Sequence, residues 1–202
     1  MLRLRPGDPL TVSDGAGGRL VCRFGPALEP VGEVETLPRP TPQVTVAFAV
    51  VKGQRPEWAV QKLTEIGVDR IVPLVSARSV VRWPAGEAGA QVARLRRVAR
   101  EASVQSRRVW LPVVDVVTPF DAMVAESGAA VAHPGGGPPS LDHPVVLIGP
   151  EGGWDQRELA GAGTVLVGLG PSVLRTETAA VVAGTLLCAL RAGVVTPTDP
   201  GG

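Results

Sequence analysis

The sequence predicts an α/β fold built on a parallel sheet, and two observations lead there. Residues 43–51 form a nearly unbroken apolar run rich in β-branched side chains, as a strand buried on both faces requires. A helical pattern over 57–66 and a second strand over 69–75 complete a β-α-β unit, whose crossover should be right-handed. The second observation lies in the last third. There a short apolar run (145–148, then 164–167), a glycine-rich loop and a helical pattern follow one another twice.

Composition bounds the class. With 202 residues, 45% hydrophobic and 19% charged, the chain can bury one substantial core plus a small appendage and is not disordered. No apolar run approaches the roughly eighteen residues of a bilayer helix, and none reads as an export signal. Cys22 and Cys188 lie far apart without metal-ligand spacing, so free thiols in a cytoplasmic protein are expected, with no membrane partner. A net charge of +1 excludes a protein that coats nucleic acid, yet Lys52 and Lys62 are the only lysines among 20 basic residues. The arginines pair bidentately with phosphate where they cluster, so their distribution matters more than their sum.

The elements follow in order. Turns at Pro6-Gly7-Asp8 and Asp14-Gly15 separate short strands near 9–12, 20–24 and 31–37, too small a unit to sustain a core alone. Pro38-Arg39-Pro40-Thr41-Pro42 is a stiff linker. Pro56 suits the first turn of the next helix, Ala59, Leu63 and Ile66 share its inner face, and Gly67 stops it. Pro73 belongs near the end or edge of its strand. Residues 83–89 read as a loop, and 90–107 as a helix with Val92, Leu95, Val98, Ala99 and Ala102 inward. A strand at 113–117, a short helix at 119–126, a strand at 129–132 and a mobile Gly/Pro loop at 134–139 come next. The helix over 176–192 is apolar around most of its circumference and must be buried on several sides, by its own chain or by a second copy. A frayed tail, 196–202, ends the chain.

Chemistry concentrates in two phrases, Leu147-Ile148-Gly149-Pro150-Glu151-Gly152-Gly153 and Gly168-Leu169-Gly170-Pro171-Ser172-Val173-Leu174-Arg175-Thr176-Glu177-Thr178-Ala179. Loops at the carboxyl ends of strands are where open α/β sheets bind ligands, and glycine lets backbone approach them closely. The plainer reading is that Gly and Pro only punctuate turns. Neither phrase fits G-x-G-x-x-G or G-x-x-x-x-G-K-[ST], and Gly161-Ala162-Gly163 fails at Leu166, which disfavours a nucleotide polyphosphate and a dinucleotide-dependent oxidoreductase. His133 and His143 carry no metal-ligand spacing, and no metal is predicted; His133 either faces this region or simply ends a strand.

Together the two phrases resemble the cofactor site of the SPOUT methyltransferases, and more narrowly the family that methylates N3 of a uridine in small-subunit ribosomal RNA. Lys52-Gly53, Gln61-Lys62-Leu63-Thr64-Glu65-Ile66-Gly67-Val68, Ala77-Arg78-Ser79-Val80-Val81 and Glu101-Ala102-Ser103-Val104-Gln105-Ser106-Arg107-Arg108 extend the resemblance over about 2–193. It implies a truncated PUA-like, β-rich RNA-binding domain at 1–42, short of its first strands. It also implies a SPOUT domain at 43–195 with a C-terminal trefoil knot, a homodimer, and S-adenosylmethionine as cofactor. Ile148, Gly149, Pro150, Glu151, Gly152, Gly153, Val167, Gly168, Leu169, Gly170 and Leu174 would wrap the cofactor, largely through backbone. Uridine N3 must lose a proton to attack a methyl group, so a base or a cation at the uracil oxygen is needed. Arg175 and Glu177 are the implied catalytic pair, unless they merely fix the loop. Arg78 and Arg108, with Arg3, Arg5 and Lys52 behind them, would meet phosphates of ribosomal RNA, naked or in an assembled subunit; Arg107 stands where the family has glycine. Ribose 2′-O-methylation and a non-catalytic RNA-binding or assembly role are the alternatives.

Overall fold

The computed structural model describes residues 4–161 and 164–196; Arg3 and the tail beyond Thr196 lie outside the described residues. Two sheets divide the chain. The first is antiparallel, with β1 (Pro9–Ser13), β2 (Gly18–Arg23) and β3 (Glu29–Pro30) in order and β4 (Glu35–Thr36) also on β2. Cys22 is the one buried apolar side chain that these strands supply, so the small sheet depends on what it docks against. Its dock is the 109–111 segment: the Gly17 amide donates to Val109 O at 3.0 Å and the Leu111 amide to Gly15 O at 2.9 Å. Trp110 Nε1 lies 3.2 Å from both Leu37 O and Pro38 O, and Arg39 stacks over its ring at 5.2 Å, which fastens the proline-rich crossing between the sheets.

The second sheet is parallel throughout. Its strands are β5 (Thr45–Ala49), β6 (Arg70–Val75), β7 (Val113–Val114), β8 (Thr118–Pro119), β9 (Ala129–Gly137), β10 (Val145–Ile148) and β11 (Val165–Val167), ordered β11-β9-β10-β5-β6-β7 with β8 beside β6. Helices α1 (Arg55–Ile66), α2 (Ala85–Gln105) and α5 (Thr176–Arg191) cover one face; α3 (Phe120–Val124) and the short α4 (Gln156–Leu159) lie after β8 and β10. Successive strand residues point to opposite faces. Val46, Phe48, Val146 and Ile148 therefore enter the core with Leu63, Leu95 and Leu187, while Ala47, Val72 and Leu147 meet Phe120, Met123 and Trp154 behind. Strand order reverses at β10, between its neighbours β5 and β9, and such a reversal is where open α/β sheets hold ligands at their carboxyl ends.

Three expectations change. Pro73 lies inside β6, paired with Phe48 of β5 and opposite the gap between β7 and β8, not at an end or edge of the sheet. Helix α2 begins at Ala85, inside the stretch read as a loop, because Pro84 precedes it and the exposed Gly86 and Gly89 hide its pattern without obstructing it. Residues 134–137 are the end of β9, not a mobile loop. The Gly168 amide donates to Gly137 O at 2.8 Å, and a Cβ on Gly136 would lie 2.5 Å from the carbonyl carbon of Val167.

Asp69 closes the far end of α5. Its carboxylate, only 3% exposed, accepts the Val44 amide at 2.9 Å and pairs with Arg191, with Arg108 3.8 Å away. Arg191 donates further to Pro42 O and Gly67 O at 3.1 and 2.9 Å. Removing one member of such a buried set leaves uncompensated charge. Asp69→Ala should lower unfolding free energy by about 3–5 kcal/mol in urea titration; a loss below about 1 kcal/mol would show the cluster to be solvent-screened. Gly136→Ala pushes backbone against backbone and should destabilise by about 1–3 kcal/mol in the same assay, whereas a mobile loop would accept it unchanged.

Candidate functional site

A cavity of about 360 Å³ opens at the carboxyl ends of β9, β10 and β11. Its walls are 132–134 within the first of these, Ile148 at the end of the second with 149–151 and 153–154 after it, and the 169–174 loop with Thr176 and Ala179 of α5. Local packing holds these loops in place. Trp154 is 7% exposed, donates from Nε1 to Ala132 O at 2.9 Å and packs on Phe120 at 5.1 Å between centroids. Its indole lies across Gly149, where a Cβ would stand 2.9 Å from the ring, so only glycine fits there. Thr176 Oγ1 donates to Gly149 O at 2.9 Å and ties the second loop to the first. Asp155 and Glu158 form a capping box that ends the 149–154 loop in α4.

Eight of the eleven residues expected at a cofactor line this cavity: Ile148, Gly149, Pro150, Glu151, Gly153, Leu169, Gly170 and Leu174. The other three face elsewhere. Gly152 turns to Arg78, whose Nη1 donates to its carbonyl at 3.3 Å; Val167 is in the core; Gly168 packs against Gly136. Arg175 is exposed, at the residue that caps α5, between the cavity-lining Leu174 and Thr176. Glu177 is different. It is 8% exposed and does not line the cavity; Oε1 lies 3.6 Å from Arg55 Nη1, and Oε2 is buried without a partner. The carboxylate expected to act as a base is thus buried beside Arg55 and not on the cavity wall.

Arg55 was not legible as a site residue. Its Nη1 donates to Glu151 at 2.6 Å and its Nε to Lys52 O at 3.1 Å. That hydrogen bond holds the Glu151 carboxyl below its ordinary pKa, with the charges of Arg175 and Lys52 adding to it, and raises that of Arg55. The available signal was a cation at the first helical position, where a helix favours an anion. His133, which sequence alone left open, lines the cavity.

The residues expected at RNA separate. Arg78 and Lys52 are exposed beside the 149–153 loop and the start of α1, and Arg78 Nη2 lies 3.7 Å from Asp155. Arg5 is exposed on the segment leading into the small sheet. Arg108 is corrected: its side chain is 13% exposed and donates to Thr64 O and Val68 O at 2.9 and 2.8 Å. Burial holds its pKa below an arginine's ordinary value, partly offset by Asp69. It serves the fold at the amino ends of the strands, opposite the cavity. Among the described residues no three His, Cys, Asp or Glu side chains stand close enough to hold a metal ion, and no helix is long and apolar enough to cross a membrane.

Comparison with known proteins places this geometry. A family model described as an RNA methyltransferase domain matches residues 38–188. The chain is 35% identical over 204 residues to a Mycobacterium bovis protein named ribosomal RNA small subunit methyltransferase E, covering 90% of this chain and 78% of that one. A Synechocystis protein of the same name is 32% identical, over 91% of this chain and 66% of its own. The crystal structure of a ribosomal RNA small subunit methyltransferase E from Neisseria gonorrhoeae, bound to S-adenosyl methionine, superposes with a TM-score of 0.78 at 27% identity, over 94% of this chain and 85% of that one. The chain belongs to the RNA methyltransferase family of the small-subunit ribosomal RNA methyltransferases E, the family its two glycine-rich phrases resemble.

Proposed function

We propose that this chain transfers a methyl group from S-adenosylmethionine to N3 of a uridine in small-subunit ribosomal RNA. The observation that carries the reading is the cavity itself, walled by both glycine-rich phrases in a chain of this family. The residues present fit the cofactor. Ile148, Leu169, Leu174 and Ala179 offer apolar walls, Gly153 and Gly170 leave open space where a Cβ would stand, and the volume lies in the range of small-ligand pockets. When bound, the cofactor supplies an electrophilic methyl carbon.

The chain's own groups do the rest. The backbone of 148–153 and 168–170 holds and orients the ligand, an alignment that can contribute several kcal/mol. Arg175, a permanent cation at the cavity mouth, cannot serve as a base; it stabilises the uracil oxygen as N3–H is lost to water. Glu177, buried in the first turn of α5, complements the positive end of that helix and fixes its start. Arg78 and Lys52 at the rim and Arg5, on the segment leading into the small sheet, neutralise phosphates. In this reading 43–195 is the methyltransferase domain, its last segments threaded as a trefoil knot, and 1–42 is an RNA-binding domain of the PUA type. The chain acts as a homodimer, supported by the half-buried apolar stripe Val181, Val182, Leu186 and Leu190 on α5. Sedimentation at micromolar concentration should return twice the chain mass; a single-chain mass rules the dimer out.

Small subunits from cells lacking the protein, incubated with the chain and S-adenosylmethionine, should yield 3-methyluridine on nucleoside mass spectrometry. A 2′-O-methylated nucleoside would replace the acceptor, and no methylated nucleoside would favour a binding or assembly role. Arg175→Ala should lower kcat by about a hundredfold, the order seen when one charge-stabilising donor is lost. Its thermal midpoint should stay unchanged, since the side chain is exposed. Full activity in this variant would remove Arg175 from the chemistry.

A further inference from the structure

Arg55 joins three segments that the sequence keeps far apart. It opens α1 at the carboxyl end of β5, donates to Glu151 on the cavity wall at 2.6 Å, and stands 3.6 Å from Glu177 in the first turn of α5. Its Nε donates to Lys52 O at 3.1 Å, which orients the guanidinium from behind. The position is a poor one for a cation on local grounds. The first turn of a helix repels positive charge, and α1 has no side-chain cap to compensate. A residue that breaks a local rule beside a cavity points to a role there.

We propose that Arg55 is a positioning residue of the cofactor site: through Glu151 it sets the shape of the 149–153 loop, and through Glu177 it locks the start of α5 against that loop. The proposal rests on the reading of the cavity as the S-adenosylmethionine site. Arg55 does not line the cavity, so it acts through its two carboxylates and not by touching the ligand. The ion pair is part-exposed, with side-chain exposures of 31% and 56%, so its contribution is modest and salt-sensitive.

Calorimetric titration of the full chain with S-adenosylmethionine tests this. Arg55→Ala and Glu151→Ala should each weaken binding about two- to fivefold, the size expected of a part-exposed pair. The double variant should bind more weakly than Glu151→Ala alone but by less than the product of the two single losses, because the two changes share the Arg55–Glu151 link while only Arg55→Ala also breaks the contact with Glu177. Arg55→Lys should recover part of the loss, and the ratio between wild type and Arg55→Ala should shrink toward one at about 1 M salt. A merely structural role would give a salt-independent ratio and multiplicative losses, and either result overturns the proposal, as does unchanged affinity in Arg55→Ala. If Arg55→Ala does not fold, Arg55→Lys against Glu151→Gln decides it by the same salt dependence. Wild type that binds no S-adenosylmethionine would instead defeat the reading of the cavity.

Discussion

The site depends on how firmly α5 is held, and the buried carboxylate of Asp69 sets that. Asp69 accepts the amide at the entrance to β5 and the guanidinium at the last residue of α5, so one group joins the first strand of the parallel sheet to the final helix. A buried anion is tolerable only when paired and hydrogen-bonded, and Arg191 together with Val44 and the nearby Arg108 meet that demand. At the other end Thr176 holds α5 to Gly149. Between these ends Ala180, Ala183, Gly184 and Leu187 pack without exposure against α1 and β5, and Gly184 lets Leu63 and Val68 approach closer than a Cβ would permit. A helix fixed along its whole length supplies a cavity wall that does not have to be ordered when a ligand arrives, which reduces the entropic cost of binding.

The start of α5 shows the opposite economy. Arg175 caps it and Arg55 opens α1, and neither helix receives a side-chain cap. Forgoing a good cap costs about 1 kcal/mol, and a cation in the first turn opposes the helix dipole by some tenths more. Nearby α4, only four residues long, carries a complete capping box. Among the described helices α4 alone has a side-chain cap, and arginines stand at the starts of α1 and α5, next to the cavity-wall residues Glu151 and Thr176. Glu177, 8% exposed in the first turn of α5, and Glu151 compensate for part of that positive charge. The rim stays cationic at Arg175 and Lys52, both exposed, which suits a polyanionic substrate.

Much of the fold was legible because its signals are local. The β-branched run at 43–51, the Gly67 stop and the two strand–loop–helix phrases each follow from residues in sequence contact, and the sheet uses all of them. The failures share one cause. Gly86 and Gly89 weaken a helix that tertiary packing restores through Val92 and Leu95. The 134–137 segment looks like a loop until Val167 and Gly168 pair with it. Arg108 and Arg55 have the same chemistry, and nothing adjacent to either reveals that one reaches carbonyls across the core while the other reaches a carboxylate almost a hundred positions away. Side-chain partners at long sequence separation are set by topology, and single-sequence patterns carry topology weakly.

Topology also limits how substrate can lie. The small sheet docks through Gly15 and Gly17 onto 109–111, just before β7, whose partners are the first residues of β6. It therefore sits at the amino edge of the parallel sheet, while the cavity opens at the carboxyl edge. The five residues of β5 alone separate these edges by about 17 Å. On the proposed reading the small sheet and the rim pair Arg78 and Lys52 meet RNA at different places, the sheet through its dock at the amino edge and the pair beside the cavity. On the proposed reading, the small sheet contributes through flanking nucleotides, where phosphate contact sets register, and the uridine is chosen at the rim. Loss of basic charge from the small sheet would then weaken RNA retention while leaving cofactor affinity intact. Loss of charge at the rim would alter how the acceptor base is presented.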